Sequence, residues 1–119
     1  MAEPIYKILT HEEWNAFASA GRFEGAAVDL RDGYIHFSTA DQVRETAAKH
    51  FSGQDELRLV AIDPNVLGNA LKWEPSRGGA LFPHLYAALS IDAVLWERPL
   101  TLDDNGRHVF PVEFTGTAS

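Results

Sequence analysis

The order of residue types along this chain predicts an α+β domain with a mostly antiparallel sheet and two helices near its start, and three observations carry that prediction. Short β-prone runs recur along the whole length. Helical periodicity is confined to two stretches, both in the first half. A hairpin signal, Asp103-Asp104-Asn105-Gly106, separates the last two runs. The 119 residues suit a single domain, 1–119, burying ~65% of its unfolded surface.

Ile5, Tyr6, Ile8 and Leu9 form a first strand. Thr10 and Glu13 have the spacing of a capping box, so a helix begins there, with Trp14, Phe17, Ala18 and Gly21 as its buried stripe. Residues 22–33 are charged, glycine-containing and aperiodic, and are expected to form a loop bordering a ligand. Tyr34 to Ser38 alternates, with Ile35 and Phe37 on one face and Tyr34, His36 and Ser38 on the other. Ser38 or Thr39 caps a second helix, whose stripe Val43, Ala47 and Phe51 runs out near Gly53. Leu57 to Ile62 is apolar apart from Arg58, which suits a central strand stopped by Asp63-Pro64-Asn65. Further strands are expected over 71–75, 81–86, 91–97 and 108–114, with a glycine turn at 76–79 and a flexible tail over 115–119.

Composition limits the function. Seventeen acidic against ten basic side chains give a net charge of −7, and no two Lys or Arg residues lie closer than five positions apart. That spread argues against nucleic acid as a partner and makes any anion site a local pocket. The lack of cysteine removes disulfides, thiolate metal sites and thiol nucleophiles. The start shows no basic run leading into an apolar segment, so a cytoplasmic protein without a membrane segment is expected. Dinucleotide-fold, phosphate-loop, nucleophile-elbow and helical zinc motifs are missing. The histidines His11, His36, His50, His84 and His108 form no i, i+3 or i+4 pair, and no metal is expected.

Three constellations could carry chemistry. Tyr34, His36 and Ser38 share a strand face just before a helix N-terminus, where Thr39 and the helix dipole would favour a phosphate, a ribose hydroxyl or a carboxylate. The bland account of this face is a half-exposed sheet surface. Trp73-Glu74-Pro75-Ser76-Arg77-Gly78-Gly79 places a stacking ring, a carboxylate, a hydroxyl, a guanidinium and paired glycines together, as a clamp on a polar ligand requires. Its bland account is a surface turn with a Glu74–Arg77 salt bridge. In Phe82-Pro83-His84-Leu85-Tyr86, His84 and Tyr86 share one face and would line a cleft, unless backbone groups satisfy them in a core, an outcome more expected for Tyr86. Trp14 and Trp96 read as core, and Glu97 and Glu113 as late-strand carboxylates pointing to water or serving as a catalytic acid.

The blocks Asp32-Gly33-Tyr34-Ile35-His36-Phe37-Ser38-Thr39, Trp73 to Gly79 and Phe82 to Tyr86 resemble those of a bacterial family known as domain of unknown function 952, over residues 5–100. The resemblance implies a fold related to the ADP-ribosyltransferases, with NAD or ADP-ribose bound in the cleft of a split sheet. It further implies that His36 stands where such transferases hold a ribose and phosphate, with Tyr86 or Tyr34 as the aromatic member of their triad. The glutamate that completes the triad has no obvious counterpart here.

Two functions follow as expectations. In the first, an enzyme handles NAD or ADP-ribose: Arg77 and the helix after Ser38 hold the pyrophosphate, His36 and Ser38 a ribose, and Glu74 stabilises an oxocarbenium-like transition state, with His84 and Tyr86 in the same site. In the second, a non-catalytic module binds a small anionic metabolite through His36, Arg77 and His84. A protein-interaction domain and an RNA 2′-phosphate-removing enzyme have less support, the latter because basic clusters are missing.

Overall fold

The computed structural model describes residues 3–111 and 114, and at Arg77 the backbone alone. Strand β1 (Ile5–Thr10) leads into helix α1 (His11–Ala20) through the expected capping box: Thr10 Oγ1 accepts from the Glu13 N–H at 3.0 Å, and Glu13 Oε1 from the Thr10 N–H at 2.9 Å. Phe17 is the buried anchor of α1 and Trp14 packs beside it, whereas Ala18, expected in the stripe, is exposed. The burying stripe is therefore narrower than its spacing suggested.

The stretch expected as a loop folds instead into strand β2 (Arg22–Phe23) and a third helix, α2 (Ala27–Asp32). Ala26 stands at the N-cap and offers no side-chain acceptor. Asp29, at the third helical position, supplies the reciprocal half of a capping box, its Oδ2 accepting the Ala26 N–H at 2.7 Å. Gly33, at φ 89°, closes the helix by donating its N–H to the Asp29 carbonyl at 2.9 Å. Strand β3 (Ile35–His36) follows, then α3 (Ala40–His50), which has Thr39 at its N-cap and ends three residues before Gly53.

The second half is almost entirely β: β4 (Leu57–Ile62), β5 (Leu71–Pro75), β6 (Leu81–Leu85), β7 (Leu89–Ser90), β8 (Val94–Leu102) and β9 (His108–Val109). Residues 91–93, expected to begin a strand, form a 3-10 turn, and β8 then runs on to Leu102. The final strand covers only two of the residues expected, Pro111 having no N–H to extend the ladder; the expected tail over 115–119 and Glu113 lie outside the described residues.

All pairings are antiparallel, in the orders β1-β4-β8-β9, β3-β6-β5 and β2-β7. The result is a single α+β domain with mainly antiparallel sheets. Strand β4 is buried on both faces, which explains its apolar run: Val60 and Ile62 pack with Phe17, Ile35 and Leu85, while Leu59 and Ala61 pack with Val43 and Ala47 of α3. Among the described residues the two larger sheets share one backbone bridge, where Tyr6 and Ser38 exchange hydrogen bonds of 2.8 and 2.9 Å. Beyond that point they diverge, and the space between them is flanked by α2 and α3.

Inside that junction Lys7 of β1 lies 3.1 and 3.0 Å from the two carboxylate oxygens of Asp29, which is 1% exposed. Burial opposes ionisation of Asp29. The hydrogen bond from the His36 ring, the Lys7 ammonium and the N–H groups of His36 and Ala26 outweigh it and hold the carboxyl at about 2, against an ordinary 3.8. A depressed carboxyl contributes stability above its unfolded value and loses it as pH falls through its folded one. Urea unfolding should therefore show stability falling by about 2 kcal/mol between pH 3.8 and about 2. Asp29→Asn should cost roughly 3–5 kcal/mol at neutral pH, by leaving Lys7 buried without its counter-charge. It should also flatten the acid limb, and an acid limb as steep in D29N as in the wild type would contradict this account.

Candidate active site

Antiparallel register places His36 of β3 directly opposite His84 of β6, so both side chains leave the same sheet face. Their ring centroids are 5.5 Å apart at 70°. Glu74 of β5, opposite Phe82, is the diagonal neighbour of His84, and its Oε1 accepts from His84 Nδ1 at 2.8 Å. Tyr86 donates its hydroxyl to the same oxygen, also at 2.8 Å. Tyr34 stacks on His84 with centroids 4.1 Å apart and touches His36 and Tyr86 at 4.7 and 5.2 Å. Because a carboxylate only accepts, Nδ1 of His84 carries a ring proton, and in the neutral imidazole Nε2 is then the acceptor. His84 is 3% exposed, and among the described residues nothing hydrogen-bonds that Nε2.

His36 is held on both sides. Its Nδ1 lies 2.6 Å from Asp29 Oδ1 and its Nε2 3.0 Å from Asp32 Oδ2, while its own N–H donates to Asp29 Oδ1 at 3.0 Å. Arg31 donates to the other oxygen of Asp32 at 3.1 Å, and this bond, with the contact to His36, keeps the Asp32 carboxyl below its usual range. Hydrogen bonds from His84 and then Tyr86 do the same for Glu74, and that carboxylate in return pushes the Tyr86 phenol up to about 12.

Both imidazoles open onto a cavity of about 530 Å³. Its polar wall includes Lys7, Arg31, Asp32, Ser38 and Ser76, and its apolar wall includes Val28, Val43, Phe51 and Phe82. Ser38 Oγ is shared with Thr46 Oγ1 at 2.9 Å. Of the residues singled out from sequence, His36, Ser38, Ser76 and His84 therefore meet in one cavity, with Tyr34, Glu74 and Tyr86 immediately behind His84.

Others do not converge. Trp73 leaves β5 on the face opposite Glu74, is 46% exposed and does not line the cavity. Gly78 and Gly79 take the expected positive φ, 66° and 82°, but only turn the β5–β6 hairpin at the surface. Thr39 spends its N–H on Gln42 Oε1 at 3.0 Å, and α3 presents its flank to the cavity through Val43, Thr46 and His50, so its N-terminal dipole is not what a ligand meets. The side chain of Arg77 lies outside the described residues. Glu97 pairs with Arg58 at 3.1 Å in the other sheet. Glu74 bonds His84 and is not among the residues that line the cavity. The buried member of the His84–Tyr86 pair is His84, while Tyr86 is 46% exposed.

Sequence reasoning missed Lys7, Asp29 and Asp32. The two aspartates fell in the supposed loop, and only their i, i+3 spacing on a helix would have shown them converging on His36. Lys7 sits at an alternating strand position with no local pattern to mark it as buried.

The architecture and site define a small α+β protein whose paired histidines, each bonded to a carboxylate, face a cleft between two sheets. Residues 8–97 match the family described as protein of unknown function (DUF952), and the chain belongs to that family. It is similar to protein CC0527 from Caulobacter crescentus: the crystal structure is 54% identical, with a TM-score of 0.85 over 89% of this chain and 93% of that one. The solution NMR structure of CC0527 is 55% identical, with a TM-score of 0.79 over 87% and 90% of the two chains. No curated protein matches the chain.

The Glu74–Tyr86 contact is open to direct measurement. In Glu74→Gln the phenol loses the carboxylate that raises it, so absorbance titration at alkaline pH should show Tyr86 moving from about 12 toward the ordinary 10. Tyr86→Phe, removing that step altogether, identifies the transition, and a titration unaffected by E74Q would refute the contact.

Proposed function

We propose that this protein is an enzyme acting on a nucleotide-like anion of the NAD or ADP-ribose type in the cleft between the two sheets, with His84 as its general base. The observation that carries this reading is the buried Nε2 of His84. A buried ring nitrogen with no partner is costly in an inert core and useful where a substrate hydroxyl or water supplies the missing donor. Glu74 fixes the tautomer and ring plane, and Tyr86 and Tyr34 hold that pair in place. The cavity volume of about 530 Å³ is in the range of small-molecule sites.

In this reading a water or acceptor hydroxyl gives its proton to His84 Nε2 while its oxygen bonds to the anomeric carbon. The bond from that carbon to the leaving nitrogen breaks, and its electron pair departs with the nicotinamide. Asp32, which lines the cavity where Glu74 does not, stabilises positive charge on the sugar in this reading. His36 and Ser38 face the ribose hydroxyls, and Arg31 supports the anionic portion.

NMR titration with NAD and with ADP-ribose tests this reading. Amide shifts should move over residues 31–38 and at Ser76, Phe82 and His84, nicotinamide should be released from NAD, and His84→Gln should lower turnover by about 10²–10⁴-fold while leaving binding largely intact. Shifts without nicotinamide release would favour the binding module for a small anionic metabolite. No shift with either compound at millimolar concentration would overturn the proposal.

A further inference from the structure

We infer that Lys7 is a positioning residue of the site, which reaches across from the other sheet to fix Asp29 and, through it, the ring of His36. The inference rests on the reading of His36 as part of a ligand site and adds the group that sets its orientation.

The geometry is specific. Lys7 Nζ lies 3.1 and 3.0 Å from the two oxygens of Asp29 and donates to the backbone carbonyl of His36 at 2.8 Å. One ammonium thus holds both the carboxylate that receives His36 Nδ1 and the main chain that carries the same imidazole. Asp29 has no freedom left: Oδ1 accepts from Lys7, from the His36 N–H and from the His36 ring, and Oδ2 from Ala26. Such saturation is what a histidine needs if its orientation is to survive the arrival of a ligand. It lies at the place where the sheets part, with Lys7 on β1 and His36 on β3, so a cation from one sheet locks a ring on the other.

A purely structural ion pair would not need this arrangement. The Ala26 and His36 N–H groups already give Asp29 two backbone donors, and an apolar side chain at position 7 would avoid the desolvation that burying an ammonium entails. That desolvation is evident: burial pushes the Lys7 pKa down despite the opposing pull of Asp29 and Glu13.

The 2.6 Å Nδ1 to Oδ1 hydrogen bond supplies a readout independent of any substrate, since a short charge-assisted bond moves its proton to low field in the NMR spectrum. The wild type should show a low-field ring N–H that vanishes in His36→Gln. In Lys7→Met, of similar length but uncharged, that resonance should move upfield or broaden away and the His36 ring nitrogen shifts should change, while circular dichroism stays native. Lys7→Gln, which keeps a donor for the His36 carbonyl, provides the same comparison with less disturbance of packing. If the protein turns over NAD, either variant should raise KM by about 10–100-fold with kcat within about twofold, because His36 holds the ligand and His84 takes the proton. A native-like K7M or K7Q with an unchanged low-field resonance would overturn the inference. So would failure of both variants to fold, which would assign Lys7 to the fold alone. Because the resonance is read without ligand, failure of the NAD titration leaves this result standing.

Discussion

One buried carboxylate organises this molecule. Asp29 closes the first turn of α2, neutralises the only ammonium brought into the β1–β3 junction among the described residues, and receives both the backbone and the ring of His36. The consequences spread outward from it. Without a partner for Lys7, β1 would carry an uncompensated charge into the core. Without an acceptor for Ala26, α2, which carries Arg31 and Asp32, would start with an orphaned donor. The ion pair and the candidate site are therefore the same object seen from two sides.

The histidines illustrate how a sheet assembles polar chemistry from distant sequence. His36 and His84 are 48 positions apart, yet register alone brings them face to face, and the diagonal relation of β5 adds Glu74. Around them the two cases differ. His36 has a carboxylate at each ring nitrogen, whereas His84 has one carboxylate and, among the described residues, no partner at its other nitrogen. Environment rather than residue type therefore sets the two rings apart.

Much of this was legible in the sequence where periodicity or turn chemistry is strong. The Thr10–Glu13 box, the apolar run of β4, the alternation around His36 and the Asp103–Gly106 turn each have a local cause that acts before tertiary contacts form. His84 and Tyr86 were rightly placed on a common face, because a period of two needs no knowledge of the partner strand. What escaped notice was tertiary. Helix α2 has Ala26 where a polar cap is sought, and its cap comes from within; Lys7 looks like a surface residue until Asp29 covers it. Trp73 misled for the opposite reason, since its neighbour Glu74 belongs to the site and a strand sends adjacent side chains to opposite faces. The standing of Glu74 behind His84 depends on register, which composition does not encode.

The single bridge between Tyr6 and Ser38 has a mechanical implication. Two sheets joined along a ladder could flex apart gradually, sharing the strain over many rungs. Here the Tyr6–Ser38 bridge is backed by the Lys7 bonds to Asp29 and to the His36 carbonyl and by the packing of Val60 and Ile62 with Ile35 and Leu85, so the two sheets are tied at the apex of the crevice rather than along its length. With the apex fixed in this way, any change in the width of the crevice has to come from the elements at its mouth, α2, α3 and the β5–β6 turn.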